Sequence, residues 1–197
     1  MSQHYLSRLV MPLDEALCAG LRDCYAWHKF IWESLPDRQD AKRDFLFRID
    51  VKDRNVTALV LSAIPPRSES KFVTKFVPET FLDYNSYRFE IRVNPTIAHS
   101  CADGRKRRIG IYNEIKLHEW FNRKFNAIGC ELKTIEIDHP RDEFFTKNGK
   151  RGKHVSVNAE GILTVHDANI FKDKFYNGIG HAKAFGFGML MLQPINI

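Results

Sequence analysis

What most constrains this chain is the order in which its apolar spacing changes. A spacing of two marks a half-buried strand, and a spacing of three or four marks one face of a helix. YLSRLVM starts as a strand. Between Asp14 and Ser34, Leu17, Leu21, Cys24, His28 and Ile31 recur at helical spacing, with Leu35 next, which predicts a helix ended by Pro36. Phe45, Phe47, Ile49 and Val51 alternate around Arg48 and Asp50, a half-buried strand. VTALVLSAI is expected to pair with it across KDRN. Residues 65–86 are irregular, with Pro65, Pro66 and Pro78. Tyr87, Phe89, Ile91 and Val93 then alternate cleanly with Arg88, Glu90 and Arg92, until Asn94-Pro95 stops the strand.

The second half starts with a polar, basic stretch over 98–108 that reads as a linker. A short strand is expected over Ile109–Tyr112. A helix follows, with Leu117, Trp120, Phe121, Phe125 and Ile128 on one face. LKTIEI, a loop rich in Lys, Arg and Gly over 140–153, and the strand region HVSVNAEGILTV come next. Asp167–Tyr176 reads as a short helix with Asp167 as N-cap, Gly178 past its end, and Ile170, Phe171 and Phe175 on one face. MLMLQPI closes as a strand. Strand–helix–strand–strand–helix–strand is the split βαβ, ferredoxin-like order, and the first half follows it with its second helix missing. The expectation is an α+β protein of two tandem ferredoxin-like domains with antiparallel sheets: residues 1–96, a linker over 97–108, and residues 109–197. RNA-recognition modules share this topology, but topology alone does not fix function.

Charge narrows the partners. The 197 residues carry a formal net charge of +6, which favours an acidic partner, nucleic acid first. No apolar run approaches a membrane span, and MSQHYLSRLVMPLDEAL lacks the build of a signal peptide. The four cysteines form no CxxC pair and no metal-ligand spacing. A cytoplasmic protein without metal or cofactor is expected.

GIGHAKAFGFG, residues 178–188, sets Gly178, Gly180, Gly186 and Gly188 around His181 and Lys183. A dinucleotide fingerprint runs strand–loop–helix, whereas here the order is helix–loop–strand, and the spacing also misses the P-loop. Two readings stand: a loop whose backbone approaches phosphate, or a turn packed closely on a helix. Among eight histidines, His28 is distinct because it lies on the apolar stripe of the first helix. Taken alone, that position suits a core-edge histidine held by a backbone carbonyl better than a functional one.

RDFLFRID, LVLSAIPP, FEIRVNPT, EGILTVHD and above all the C-terminal GIGHAKAFGFGMLML resemble the CRISPR repeat-processing endoribonucleases of the CasE type, subunits of the Cascade surveillance complex. The likeness runs in order from about residue 5 to residue 194. It implies two ferredoxin-like domains that bind the stem-loop of CRISPR repeat RNA. It also implies metal-independent cutting at the 3′ base of the stem, leaving a 2′,3′-cyclic phosphate and a 5′-OH. The enzyme would then stay on its product beside the other Cascade subunits. Such enzymes carry their catalytic histidine in the first helix, which His28 in YAWHKFIWESLP matches. Tyr25, one turn earlier, matches an active-site tyrosine of some members, and Lys183 matches a lysine of the glycine loop. Ser156 sits where some relatives have a hydroxyl near the active site.

Three basic groups are candidates for the RNA track. Lys29, Arg38, Lys42 and Arg43 lie in and after the first helix, Arg105, Lys106, Arg107 and Arg108 form a run, and Lys147, Lys150, Arg151 and Lys153 form another. Gly178, Gly180, His181, Lys183 and Gly186 would let the loop meet RNA. Residues 140–153 are expected as a flexible hairpin that orders on RNA. The alternatives are a non-cleaving RNA-binding subunit, a nucleotide-binding enzyme and a pure scaffold.

Overall fold

The computed structural model describes residues 3–36, 44–100 and 104–196. The first sheet is antiparallel and built from β1 (Tyr5–Pro12), β2 (Phe45–Lys52), β3 (Asn55–Ser62) and β4 (Val73–Phe76), in the order β2-β3-β1-β4. Its register sets Tyr5 opposite Ser62 and Phe45 opposite Ser62 on the other side of β3. Two helices lie between β1 and β2: α1 (Leu13–Cys18) and α2 (Cys24–Ser34).

The single helix expected over Asp14–Ser34 is therefore broken. Gly20 takes a φ of 77°, a left-handed turn that suits a residue without Cβ. Asp23 then caps the new helix, its carboxylate accepting from the N–H groups of Tyr25 (3.0 Å) and Ala26 (2.8 Å). Leu17, expected on the buried stripe, is 40 % exposed as a result.

The second sheet contains β5 (Ser86–Val93), β8 (Cys130–Ile137), β10 (Lys150–Val165) and β11 (Leu190–Pro194), in the order β11-β5-β10-β8. A small hairpin of β6 (Thr96–Ser100) and β7 (Lys106–Gly110) is inserted after β5. α3 (Glu114–Asn126) precedes β8, and α4 (Ala168–Asn177) precedes the glycine loop. β9 (Arg141–Lys147) pairs with the outer half of β10, whose inner half pairs with β5 and β8. Both units share one strand order, with the first reading two-three-one-four and the second four-one-three-two. They are two ferredoxin-like domains.

The strands were distributed differently from the expectation. The clean alternation of Tyr87–Val93 forms β5, but β5 is the first strand of the second unit, pairing with β10 and β11. The fourth strand of the first unit is β4, four residues among prolines with no apolar alternation to announce it. The 97–108 stretch holds most of β6 and β7, so the sheets change before residue 96. Residues 140–153, expected as a hairpin, form one, paired from Lys150↔Lys147 through Ser156↔Arg141. α4 matches the expectation at both ends: Asp167 caps Asn169 and Ile170, and Gly178 follows with φ 74°. Ile170, however, is exposed, while Phe171 and Phe175 are buried.

One core joins α3, α4 and the second sheet through Tyr87, Phe89, Trp120, Phe121, Phe125 and Phe171. A second lies between α2 and the first sheet, through Leu9, Trp27, Ile31, Phe45, Phe47 and Val60. Leu46 and Leu61 point away from that second core and join the first.

Candidate active site and RNA-facing surface

Helix α2 carries His28 and Tyr25 one turn apart. Residues 29–35 hold it down through the buried Ile31 and Leu35, which leaves His28 half-buried at the core edge. Its ring lies nearly parallel to Phe45 of β2, at 5.5 Å between centroids and 20° between planes. Phe47 and the 43 % exposed Trp32 flank it at 6.3 and 6.0 Å. Tyr25 faces Phe185 of the glycine loop, with centroids 6.4 Å apart, and Lys147 places its ammonium 5.7 Å from the Tyr25 ring.

The glycine loop leaves α4 and crosses to the first unit. Its one-turn helix, Lys183–Phe185, packs against both α2 and β2. Two glycines explain how the loop closes. A Cβ at Gly188 would strike the Ile179 carbonyl, and one at Gly178 would lie 2.7 Å from Leu46 Cδ2. The loop is cinched where the Ile179 N–H donates to the Gly188 carbonyl at 2.9 Å. These two glycines serve close packing, so of the two readings of the motif the packed turn holds at its ends. Between them Lys183 is presented outward. Its Nζ donates to the Asn177 carbonyl at 2.7 Å, and it lines a cavity of about 500 Å³ with His4, Asp44, Phe45, Ala63 and Tyr176. Phe45 is common to both groups: it stacks on His28 and lines the cavity of Lys183.

His181 sits on the opposite side of the loop, bridged to Asn94. Burial lowers its pKa, and the charges of Arg108, Lys124 and Lys183 lower it further. His181 thus lies in the field of cations from β7, α3 and the loop itself.

The remaining expected residues fall in three places. Arg105, Arg107 and Arg108 are exposed on or beside β7, and Lys29 is exposed on α2. Lys150, Arg151 and Lys153 lie on β10, where Arg151 stacks on Phe144 at 4.0 Å and Lys153 pairs with Asp142 at 2.9 Å. Arg38 and Lys42 lie outside the described residues. Gly180 and Gly186 take φ of 83° and 81° within the loop. Ser156 is buried, and its hydroxyl accepts from Arg92 Nε at 3.0 Å.

Several residues here carried no sequence signal. Arg92 reads as a solvent-facing strand residue but has a side chain only 17 % exposed. Lys124 reads as the charged face of a helix. His154 is held by contacts distant in sequence: its Nδ1 lies 3.2 Å from Asn94 Nδ2, its ring lies 4.7 Å from that of Phe185, and burial lowers its pKa. Cys24, close to His28 in sequence, has a thiol pushed up to about 12, chiefly by burial, which disfavours the nucleophilic thiolate.

The chain belongs to the CRISPR associated protein family, whose model matches residues 4–194. It is 29 % identical over 209 residues to the CRISPR system Cascade subunit CasE of Escherichia coli K12, covering 97 % of this chain and 100 % of that protein. The crystal structure of the CRISPR-associated protein Cas6e from Escherichia coli K-12 superposes with a TM-score of 0.76 at 28 % identity, over 97 % of this chain and all of that one. Thermus thermophilus Cse3, bound to an RNA representing a pre-cleavage complex, gives 0.77 at 22 % identity over 98 % of this chain and all of that one, a likeness of fold.

Proposed function

We propose that this chain is an endoribonuclease that processes CRISPR repeat RNA and works as a subunit of a Cascade-type complex. It binds the repeat stem-loop, cuts at the 3′ base of the stem without metal, and keeps the product. One observation carries the reading. His28 of the first unit stacks on Phe45, and Phe45 also lines the cavity that holds Lys183 of the second unit, which supports pairing a proton-transfer group with a cation in one site.

The chemistry follows from those groups. Cleavage without a metal needs a base for the ribose 2′-OH, an acid for the leaving 5′-oxygen, and positive charge for the phosphate. Imidazole titrates near neutral pH and serves either proton transfer. The 2′-oxygen attacks the adjacent phosphorus as the bond to the 5′-oxygen breaks. The proton lost from the 2′-OH is balanced by the one gained at O5′, giving a 2′,3′-cyclic phosphate and a 5′-OH. Lys183 brings a fixed charge to the phosphate. Tyr25, held between Phe185 and Lys147, orients the phosphate or aids a proton transfer. The cations around His181 and along β7 grip the stem backbone.

The test is cleavage of a labelled repeat stem-loop in EDTA by wild type and His28→Ala, with binding measured for both. Wild type should cut, and the variant should bind equally and cut at a small fraction of the rate. RNA that binds tightly yet stays full length with wild type would replace this reading with that of a non-cleaving RNA-binding subunit.

A further inference from the structure

Arg92 makes more long-range contacts than its place on a plain strand calls for. Its Nε donates to Ser156 on β10 at 3.0 Å, and its Nη1 donates to the Ile49 carbonyl on β2 at 3.2 Å. Its Nη2 pairs with Glu143 on β9. The guanidinium plane lies 5.1 Å from the centroid of Phe187, and the Arg92 carbonyl accepts from the Gly188 N–H at 2.7 Å. One residue of the second sheet therefore touches the first sheet, both strands of the β9–β10 hairpin and the exit of the glycine loop.

Each of these ties leads to the seam. β2 carries Phe45 and Phe47, the rings that flank His28. The loop carries Lys183, and Gly186 approaches Phe47 so closely that a Cβ there would lie 3.1 Å from the ring. The hairpin closes over the start of α2, where the Thr146 N–H donates to Asp23 Oδ2 at 2.9 Å and Lys147 covers Tyr25. Displacing β2 relative to the loop would shift His28 relative to Lys183. Nothing smaller than a guanidinium spans these partners, because a lysine offers a single ammonium where Arg92 has a planar fork of five N–H donors.

We propose that Arg92 is a positioning residue for RNA cleavage, an inter-domain clamp that sets His28 against Lys183. Glu143 and Ser156 hold its fork, which gives Ser156 an indirect part in the site. The proposal rests on the nuclease reading above. Geometry of this kind matters steeply, since a misplacement of about 1 Å can cost on the order of 100-fold in rate.

The experiment compares wild type, Arg92→Met, Arg92→Lys and the charge-balanced pair Arg92→Met/Glu143→Gln. The readouts are thermal unfolding, repeat-RNA affinity and single-turnover cleavage at saturating protein. The pair is included because Arg92→Met alone leaves the Glu143 carboxylate without its partner, which destabilises the fold. The expected result is an unchanged affinity with cleavage reduced about 10–100-fold in Arg92→Met and in the folded pair, and a smaller loss in Arg92→Lys. In a His28→Ala background Arg92→Met should add no further loss, since the clamp works through His28. Cleavage at the wild-type rate in the folded pair overturns the proposal alone, as does a loss that merely follows RNA affinity. A wild type that cuts no repeat RNA overturns the nuclease reading and this proposal together.

Discussion

The two sheets share a strand order yet bury themselves differently. The second keeps one apolar face: Tyr87, Phe89, Ile91 and Val93 of β5 are buried under α3 and α4, while Arg88 and Glu90 on its other face are exposed. The first is covered twice at its seam end. Phe45 and Phe47 pack under α2, and Leu46 and Leu61 pack into the core of the other unit. α4 of the second unit lies on β2 of the first. A sheet that lacks its own second helix has been completed by its neighbour's, and the proposed active site lies along that borrowed contact. In the proposed function, the first unit supplies the proton-transfer group and the second supplies most of the charge.

That division can be broken experimentally. The largest effect belongs to His28→Ala, which should lower single-turnover cleavage by about 10²–10⁴-fold while leaving RNA affinity intact. A parallel loss of affinity would show that the first unit grips as well as cuts. Leu46→Ala removes a side chain buried between the units and should cost about 2–5 kcal/mol by denaturant unfolding, whereas the 59 % exposed Val51 of the same strand should tolerate alanine within about 0.5 kcal/mol. Equal costs would mean that the second face of the first sheet contributes little. Asp23→Ala removes the cap of α2 together with the hairpin's anchor, for about 0.5–2 kcal/mol. Arg108→Ala should weaken RNA binding and reduce the slope of log affinity against log salt by about 1, with the bound-state cleavage rate unchanged. The smallest effect is at His154. Its folded pKa lies below the ordinary 6.5, so the unfolded chain takes up the proton first. Its contribution to stability is therefore complete above pH 6.5 and is lost as pH falls from there through the folded pKa. Unfolding measured from pH 7.5 down to pH 5 should show a shallower acid slope in His154→Phe than in wild type, and identical slopes would remove this residue from the account.

The same contrast explains what was legible in the sequence. A one-sided strand writes alternation into its residues, so β5 was visible at once, as were α3 and α4 with its cap. β4 was invisible because an exposed edge strand of four residues needs no apolar pattern. Assigning β5 to the first unit followed from missing β4. The break between α1 and α2 was masked because Leu17 and Leu21 keep helical spacing across it, although Gly20 and Asp23 mark the stop and restart. Of the site, His28, Tyr25 and Lys183 were reached through motif resemblance, since burial and distance are not written in spacing. Arg92 lay beyond reach: its partners sit 43, 51 and 64 residues away, and an arginine alternating with valine and isoleucine reads as solvated.

The borrowed helix also bears on how the chain is made. Leu46 and Leu61 leave the ribosome long before Phe171, Phe175 and Ile179, which share their core. Until those later residues emerge, the nascent first sheet presents an uncovered greasy face, the condition under which growing chains stick to one another or to chaperones. Synthesis halted before α4 should leave an aggregating fragment with no half-active nuclease among its products, because the lysine side of the seam is translated last.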